Sequence, residues 1–226
     1  MISNCLALAP IMEAAIQEVQ KKRRELSCDF NVFNLFNPGE TMHSKILAHL
    51  LDPRESHGQG NCFLYSFLKM IEIESPELGI WHISCEAERI DVCLERNDPL
   101  SIIIIENKSN WAGDQGNQLY RYWFKKMYPH HKDNNDLKHF YKSNEKYHKI
   151  LYLTPDASKQ PSPNTLNRPD GLDDNRAPGE LPIIPEPLLF RDLVGRWLYP
   201  LLKQNQIRPE NHRMCEYIKQ YIEFWM

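Results

Sequence analysis

Two short apolar runs on either side of a turn constrain this chain more than any other feature. The first run covers residues 89–95, and the second, which contains four consecutive isoleucines, covers residues 101–108. The Asn-Asp-Pro sequence at positions 97–99 between them favours a tight turn. Runs rich in Val and Ile that flank such a turn predict the two antiparallel strands of a hairpin.

Charged residues near the ends of these predicted strands indicate where a functional site would form. Because side chains alternate along a strand, Glu106 and Lys108 are expected to share one face with the apolar residues Ile102 and Ile104. Asp91 on the opposing strand is expected to converge with them. Charges beside buried apolar residues are unfavourable without a partner, and carboxylate oxygens are the ligands that Mg²⁺ prefers. The pattern therefore predicts one or two Mg²⁺ (or Mn²⁺) ions held by Asp91 and Glu106.

A site of this kind suits the hydrolysis of a phosphodiester. A bound divalent ion activates a water molecule by lowering its pKa, and it neutralises charge on the phosphate. Lys108 would orient that water or stabilise the negative charge that develops during the reaction. The residues alone leave a simpler interpretation open, in which Glu106 and Lys108 form a structural ion pair.

The patterns elsewhere in the chain predict mainly helices around this hairpin. The expected helices cover residues 10–26, 40–52, 61–73, 113–128, 137–147, 188–204 and 209–225. Further strands are expected at residues 80–88 and 149–153, with a short one at Ile183 and Ile184, and the Pro-rich segment 156–187 is expected to be a loop. Because no second core is apparent, one domain is expected over residues 1–226, with its core at roughly 35–155 and a C-terminal helical part at 188–226.

The composition narrows the function only slightly. A net charge of −3 and an apolar content of 42% are those of an ordinary globular protein, and they do not single out a nucleic-acid binder. The six cysteines are scattered and contain no CxxC pair, which favours a reducing, cytoplasmic setting. No membrane contact is expected, because no apolar run approaches the length of a membrane span.

Three segments of this chain occur together in one known family. They are Asp91 in the sequence Arg-Ile-Asp-Val, the tripeptide Glu106-Asn107-Lys108, and the segment 118–122, Gln-Leu-Tyr-Arg-Tyr. This combination resembles the PD-(D/E)xK nuclease superfamily, and the third segment is similar to the QxxxY helix of RecB-type nucleases. The chain most resembles a bacterial group of nuclease-like proteins within that superfamily. It departs from the family motif at Ile90, where the motif has proline.

The resemblance implies an α/β fold with a restriction-endonuclease-like core, in which helices flank a central mixed β-sheet and further helices follow at the C-terminus. It implies that Asp91, Glu106 and the backbone carbonyl of Asn107 bind the metal, and that Lys108 is the catalytic lysine. It also implies that Glu40 completes the site, although the residues alone suggest only a first-turn acid favoured by the helix dipole.

The resemblance also extends to residues that would organise the site or contact nucleic acid, namely Gln118 and Tyr122. His43 joins this group because it is expected to share a helix face with Glu40. The expected function is a Mg²⁺-dependent nuclease that cuts DNA, with phage defence or genome maintenance as its setting. RNA stays open as a substrate, and a homodimer is compatible with the sequence. The alternative is a non-cleaving, nucleic-acid-binding or regulatory module on the same fold.

Overall fold

A computed structural model describes residues 2–226, with side chains from residue 10 onward. The chain divides into two compact units, of which the first ends at Phe36 and the second is Asn37–Met226. The first unit contains helix α1 (Ile2–Glu25) and helix α2 (Val32–Phe36). Helix α1 begins earlier than predicted, so Pro10 lies inside it and not in its first turn. An interior proline removes one hydrogen-bond donor and weakens a helix, but here the helix continues through it.

The second unit is built on a five-stranded sheet in the order β1-β2-β3-β4-β5. Strands β1, β2 and β3 are antiparallel to one another, whereas β3, β4 and β5 run parallel. The sheet is therefore mixed, which confirms the predicted α/β class with a restriction-endonuclease-like core. The strands are β1 (His82–Ala87), β2 (Ile90–Asn97), β3 (Leu100–Asn107), β4 (His148–Thr154) and β5 (Glu186–Leu189).

Helices precede the sheet, connect its parallel strands and follow it. Before β1 are α3 (Glu40–Leu51) and α4 (Cys62–Met70). Between β3 and β4 are α5 (Gln118–Lys126), α6 (Tyr128–His131) and α7 (Leu137–Ser143), and between β4 and β5 is α8 (Pro163–Leu166). After β5 come α9 (Phe190–Leu193), a π-helical turn (Val194–Leu198), α10 (Tyr199–Lys203) and α11 (His212–Trp225).

Besides the start of α1, two predicted boundaries were wrong because of contacts with distant parts of the chain. The predicted helix 113–128 begins only at Gln118, since the residues before it form a loop whose Asn117 N–H donates to the carbonyl of Asn164. The short strand predicted at residues 183–184 forms instead at β5. Strand β5 pairs with β4 and includes Leu188 and Leu189, which were predicted to begin a helix.

The hairpin of β2 and β3 has the predicted form, and its register positions the charged residues. Cys93 pairs with Ile104 and Val92 with Ile105, and the same register continued by one pair sets Asp91 opposite Glu106. The face of the sheet that carries Ile104 packs against α5 in one buried cluster. Because side chains alternate, Glu106 follows Ile104 on the face covered by α5.

All strands of the sheet lie within the second unit. That the whole chain of residues 1–226 forms a single domain stays a prediction. Five of the six cysteines are free thiols, and the side chain of Cys5 lies outside the described part. Among the described residues, no helix is both long enough and apolar enough to cross a membrane.

Candidate active site

Asp91, Glu106 and Lys108 come together where β2 begins and β3 ends. The Oδ2 atom of Asp91 accepts a hydrogen bond of 2.6 Å from the backbone N–H of Asn107, which holds this carboxylate beside the end of β3. The Nζ atom of Lys108 lies 2.6 Å from Oε1 of Glu106, and these two side chains are 4% and 2% exposed. The hairpin therefore places two carboxylates and an ammonium group at one end of the sheet.

The environment of Lys108 keeps it positively charged. Its Nζ lies 3.8 Å from Oδ1 of Asp114 and 3.3 Å from Oε1 of Gln118. Burial lowers the pKa of Lys108, but the charges of Glu106 and Asp114 outweigh burial and raise it. The lysine is therefore a fixed cation and a hydrogen-bond donor within the site.

The two carboxylates are held in an environment that disfavours their ionised forms. Burial, and next the charge of Asp91, raise the pKa of Glu106 to about 8. Burial also raises the pKa of Asp91 to about 6, although the N–H of Asn107 opposes the change. Oε2 of Glu106 is buried and has no hydrogen-bond partner within the described chain. A buried carboxylate oxygen without a partner is unfavourable, so this pair attracts positive charge.

Gln118 and Tyr122 form a chain of hydrogen bonds behind Lys108. Nε2 of Gln118 donates to the hydroxyl of Tyr122 at 2.7 Å, and that hydroxyl donates to the backbone carbonyl of Arg89. Both side chains lie on α5 one helical turn apart, as the sequence spacing predicts. These hydrogen bonds fix the orientation of the Gln118 amide, and its Oε1 atom faces Lys108.

Glu40 lies at the start of α3 and borders the site through the loop that follows β3. Its Oε1 accepts hydrogen bonds from the backbone N–H groups of Asn110 and Ala112, both at 3.3 Å. The side-chain amide of Asn107 donates to the carbonyl of Glu40 at 2.8 Å and to Oγ of Ser44 at 3.0 Å. These bonds tie α3 to the end of β3.

His43 lies elsewhere. Its Nδ1 is 3.1 Å from the hydroxyl of Tyr221, and its ring contacts that of Trp225 at a centroid distance of 5.0 Å. Burial lowers the pKa of His43 to about 4, so the ring is neutral. Its described ring contacts are with Phe190 of α9 and with aromatic residues of α11, and none of them is with the carboxylates.

Asp114 belongs to the site, although no sequence pattern pointed to it. Its side chain is 3% exposed and accepts hydrogen bonds of 2.7 Å from the hydroxyl of Tyr152 and from the N–H of Ser162. Burial raises the pKa of Asp114, but these hydrogen bonds outweigh it and lower the pKa, so this carboxylate is ionised beside Lys108. Its partners are 38 and 48 residues away, and no local pattern predicts them.

The donors present fit a divalent cation with oxygen ligands. Asp91 and Glu106 are adjacent carboxylates with raised pKa values, and one of their oxygens lacks a partner in the part of the chain described. Such hard oxygen donors are those that Mg²⁺ and Mn²⁺ take. No group of three or more His, Cys, Asp and Glu side chains among the described residues is arranged to hold a metal ion. Two side chains and backbone carbonyl oxygens are therefore the donors to consider.

A mixed sheet whose central hairpin ends in an Asp…Glu-x-Lys group defines a restriction-endonuclease-like α/β protein. The model of the PD-(D/E)XK nuclease superfamily matches residues 30–223, and the chain belongs to this superfamily. No curated protein and no solved structure gives a significant match. Membership indicates a hydrolase that acts on the phosphodiester bonds of nucleic acid, in a superfamily that generally uses divalent metal ions. The likeness to RecB-type QxxxY nucleases and to the bacterial group stays a prediction.

Proposed function

We propose that this protein is a divalent-metal-dependent nuclease that hydrolyses phosphodiester bonds of DNA at Asp91, Glu106 and Lys108. The observation that supports it best is the buried carboxylate of Glu106. One of its oxygens pairs with Lys108, and the other has no hydrogen-bond partner in the described chain. A buried acid that serves only the fold is expected to have both oxygens satisfied. The partnerless oxygen fits a ligand that binds during function.

Asp91 and Glu106, together with the backbone carbonyl of Asn107, would hold one or two Mg²⁺ or Mn²⁺ ions. Glu40 would add a third acid once its carboxylate leaves the N–H groups of Asn110 and Ala112, which bind it in this structure. Bound there, a divalent ion supplies Lewis-acid chemistry, which lowers the pKa of water and offsets charge on the phosphate.

In this proposal the role of Lys108 is electrostatic. Because the charges of Glu106 and Asp114 raise its pKa, the ammonium group stays protonated and does not act as a general base. A fixed positive charge beside the reacting phosphate stabilises the negative charge that develops on it. Gln118 is a positioning residue, because its Oε1 lies 3.3 Å from Nζ of Lys108.

Cleavage assays test this proposal directly. Plasmid, linear duplex, single-stranded DNA and RNA are incubated with Mn²⁺ and the wild type, Asp91→Asn or Lys108→Ala, with the exposed Lys203→Ala as the matched control. We expect DNA cleavage that requires the metal and falls about 100-fold or more in the two site variants, but not in the control. We also expect Mn²⁺ to raise the melting temperature of the wild type but not of Asp91→Asn. Metal-dependent cutting that survives both site substitutions would contradict the assignment of the active site to these residues. Cutting confined to RNA would show that the substrate is RNA and not DNA.

One observation favours the alternative of a non-cleaving binding or regulatory module. Nζ of Lys108 and Oε1 of Glu106 are in direct contact at 2.6 Å, and both side chains are almost completely buried, as in a structural ion pair. This alternative predicts nucleic-acid binding that is unchanged in Glu106→Ala and no cutting with either metal. A cytoplasmic location, a homodimer and a role in phage defence stay predictions.

A further inference from the structure

An exposed tryptophan lies on the turn that directly follows Lys108. Trp111 is 49% exposed, whereas the other four tryptophans of the chain are buried or half-buried. Its indole makes no ring contact or cation–π contact with the described residues. A single exposed apolar side chain is ordinary on a protein surface, so exposure alone decides nothing. Its backbone and its position make Trp111 distinctive.

Trp111 has a backbone conformation that its side chain does not favour. Its φ angle is +61°, in the left-handed region that bulky residues rarely adopt. Such a conformation is strained and persists only where the surroundings impose it. Here the N–H of Trp111 donates to the carbonyl of Lys108 at 3.1 Å. The N–H groups of its neighbours, Asn110 and Ala112, both donate to Oε1 of Glu40.

These hydrogen bonds join the tryptophan to the candidate active site. The turn begins at Lys108, whose carbonyl accepts from Trp111. It then leads back to the same lysine, because the carbonyl of Gly113 lies 3.5 Å from its Nζ. Glu40, which fixes the turn from the other side, is linked to Asp91 through Asn107, whose side-chain amide donates to the carbonyl of Glu40 and whose N–H donates to Oδ2 of Asp91. The turn therefore holds the backbone of an exposed indole in place between Lys108 and the residues bound to Glu40.

An exposed indole beside a nuclease site has an obvious chemical partner in a nucleobase. Aromatic side chains stack on bases with little dependence on sequence. In an intact duplex both faces of a base are already covered by its neighbours, so a stacking platform selects unpaired nucleotides. Resting on the function proposed above, we propose that Trp111 stacks on an unpaired base next to the phosphodiester that is cut. Single-stranded DNA, or a single-stranded region joined to a duplex, is then the preferred substrate class.

Binding measurements without cleavage test this inference. Fluorescence anisotropy in EDTA follows a short labelled oligodeoxythymidine and a blunt duplex of the same length with the wild type, Trp111→Ala and Trp111→Phe. Tyr199→Ala, which removes a comparably exposed aromatic on α10, is the control. We expect Trp111→Ala to weaken single-strand binding about 5- to 100-fold and duplex binding less than 2-fold. Trp111→Phe should retain most of the affinity, and Tyr199→Ala all of it.

Intrinsic fluorescence supplies a second readout. Unlabelled oligodeoxythymidine should quench the emission of the wild type, and this quenching should be absent in Trp111→Phe. An unchanged single-strand affinity of Trp111→Ala, or an equal loss for single strand and duplex, would overturn the inference. The two proposals fail separately. If the wild type cuts DNA and Trp111→Ala binds normally, only the stacking proposal is wrong. If nothing is cut but Trp111→Ala still loses single-strand affinity, only the nuclease proposal is wrong.

Discussion

Removal of one hydroxyl group, in Tyr122→Phe, tests the hydrogen-bond chain behind Lys108. The hydroxyl accepts a hydrogen bond of 2.7 Å from the amide of Gln118 and donates one to the carbonyl of Arg89. Tyr122 is 5% exposed, so the substitution removes both bonds from a site that water reaches poorly. The ring itself stays in place, and the change in packing is small.

The expected magnitude follows from what each partner loses. A buried polar group left without a partner costs about 1–3 kcal/mol, and a hydrogen bond contributes about 0.5–1.5 kcal/mol net. Arg89 is exposed, so water can replace the hydroxyl at its carbonyl, whereas Gln118 is 7% exposed and loses its partner. We therefore expect Tyr122→Phe to lower the free energy of unfolding by about 2 kcal/mol. For a chain of this length the melting temperature then falls by about 4–8 °C.

The chain offers a matched control in Tyr141→Phe. Tyr141 is 1% exposed, and its hydroxyl makes no hydrogen bond within the described chain. The same atom is removed from an equally buried ring, but no bond is lost. We expect a change of less than about 0.5 kcal/mol, or a gain in stability, because a buried hydroxyl without a partner is itself unfavourable.

Urea unfolding of the metal-free protein, followed by circular dichroism, measures both variants. Equal losses in Tyr122→Phe and Tyr141→Phe would refute the reasoning, and so would a loss below about 0.5 kcal/mol for Tyr122→Phe. If the protein cuts DNA, Tyr122→Phe should also lower kcat more than it raises KM, because the amide of Gln118 no longer holds Lys108 in one position. Gln118→Ala should then add little to the effect of Tyr122→Phe in a double-mutant cycle.

Two further predictions concern stability away from the site. Arg96→Met should cost about 3 kcal/mol or more in urea unfolding, because this fully buried guanidinium donates to the carbonyls of Glu74, Ser75 and Leu78, which would lose their donor. Burial lowers the pKa of His148 to about 3 in the folded protein, whereas an unfolded histidine titrates at about 6.5. The neutral ring therefore contributes its full stabilisation above pH about 6.5, and this contribution is lost as the pH falls toward the pKa of the folded state. Between pH 7 and pH 5 the wild type should therefore lose about 2 kcal/mol more than His148→Asn, and parallel pH profiles would contradict this.

The hairpin could be predicted from sequence because it depends on local rules. The turn fixes the register, and the alternation of side chains then assigns Glu106 and Lys108 to one face. Asp114 could not be predicted, because its burial depends on Tyr152 in β4 and on the N–H of Ser162 beyond it. The position of strand β5 was mispredicted for the same reason, because its pairing with β4 decides where the strand forms.

Helix α3 shows how a correct local rule can fail at the level of the site. Glu40 is followed by His43 three residues later and by Ser44 four residues later, and His43 was expected on one face with it. A helix turns by about 100° per residue, so positions i+3 and i+4 lie on opposite sides of residue i. In the structure Ser44 Oγ accepts from the amide of Asn107 near the site, whereas His43 packs against α11. The spacing therefore predicted the helix face only to within one residue. Tertiary packing decides that Ser44, and not His43, lies near the site.

The isoleucines that define the hairpin also explain why its carboxylates favour a cation. Residues 102–105 are all buried, and they form an apolar wall directly before Glu106. In such surroundings burial contributes most to the raised pKa of Glu106, and the charge of Asp91 adds to it. Lys108 is shared between Glu106 and Asp114, so its single charge does not balance the three acids. A divalent ion would lower both raised pKa values toward their ordinary range and release any proton held there, which couples metal affinity to pH. The apolar strand that folds the hairpin thus strengthens the attraction between these carboxylates and a cation, because it keeps water away from them.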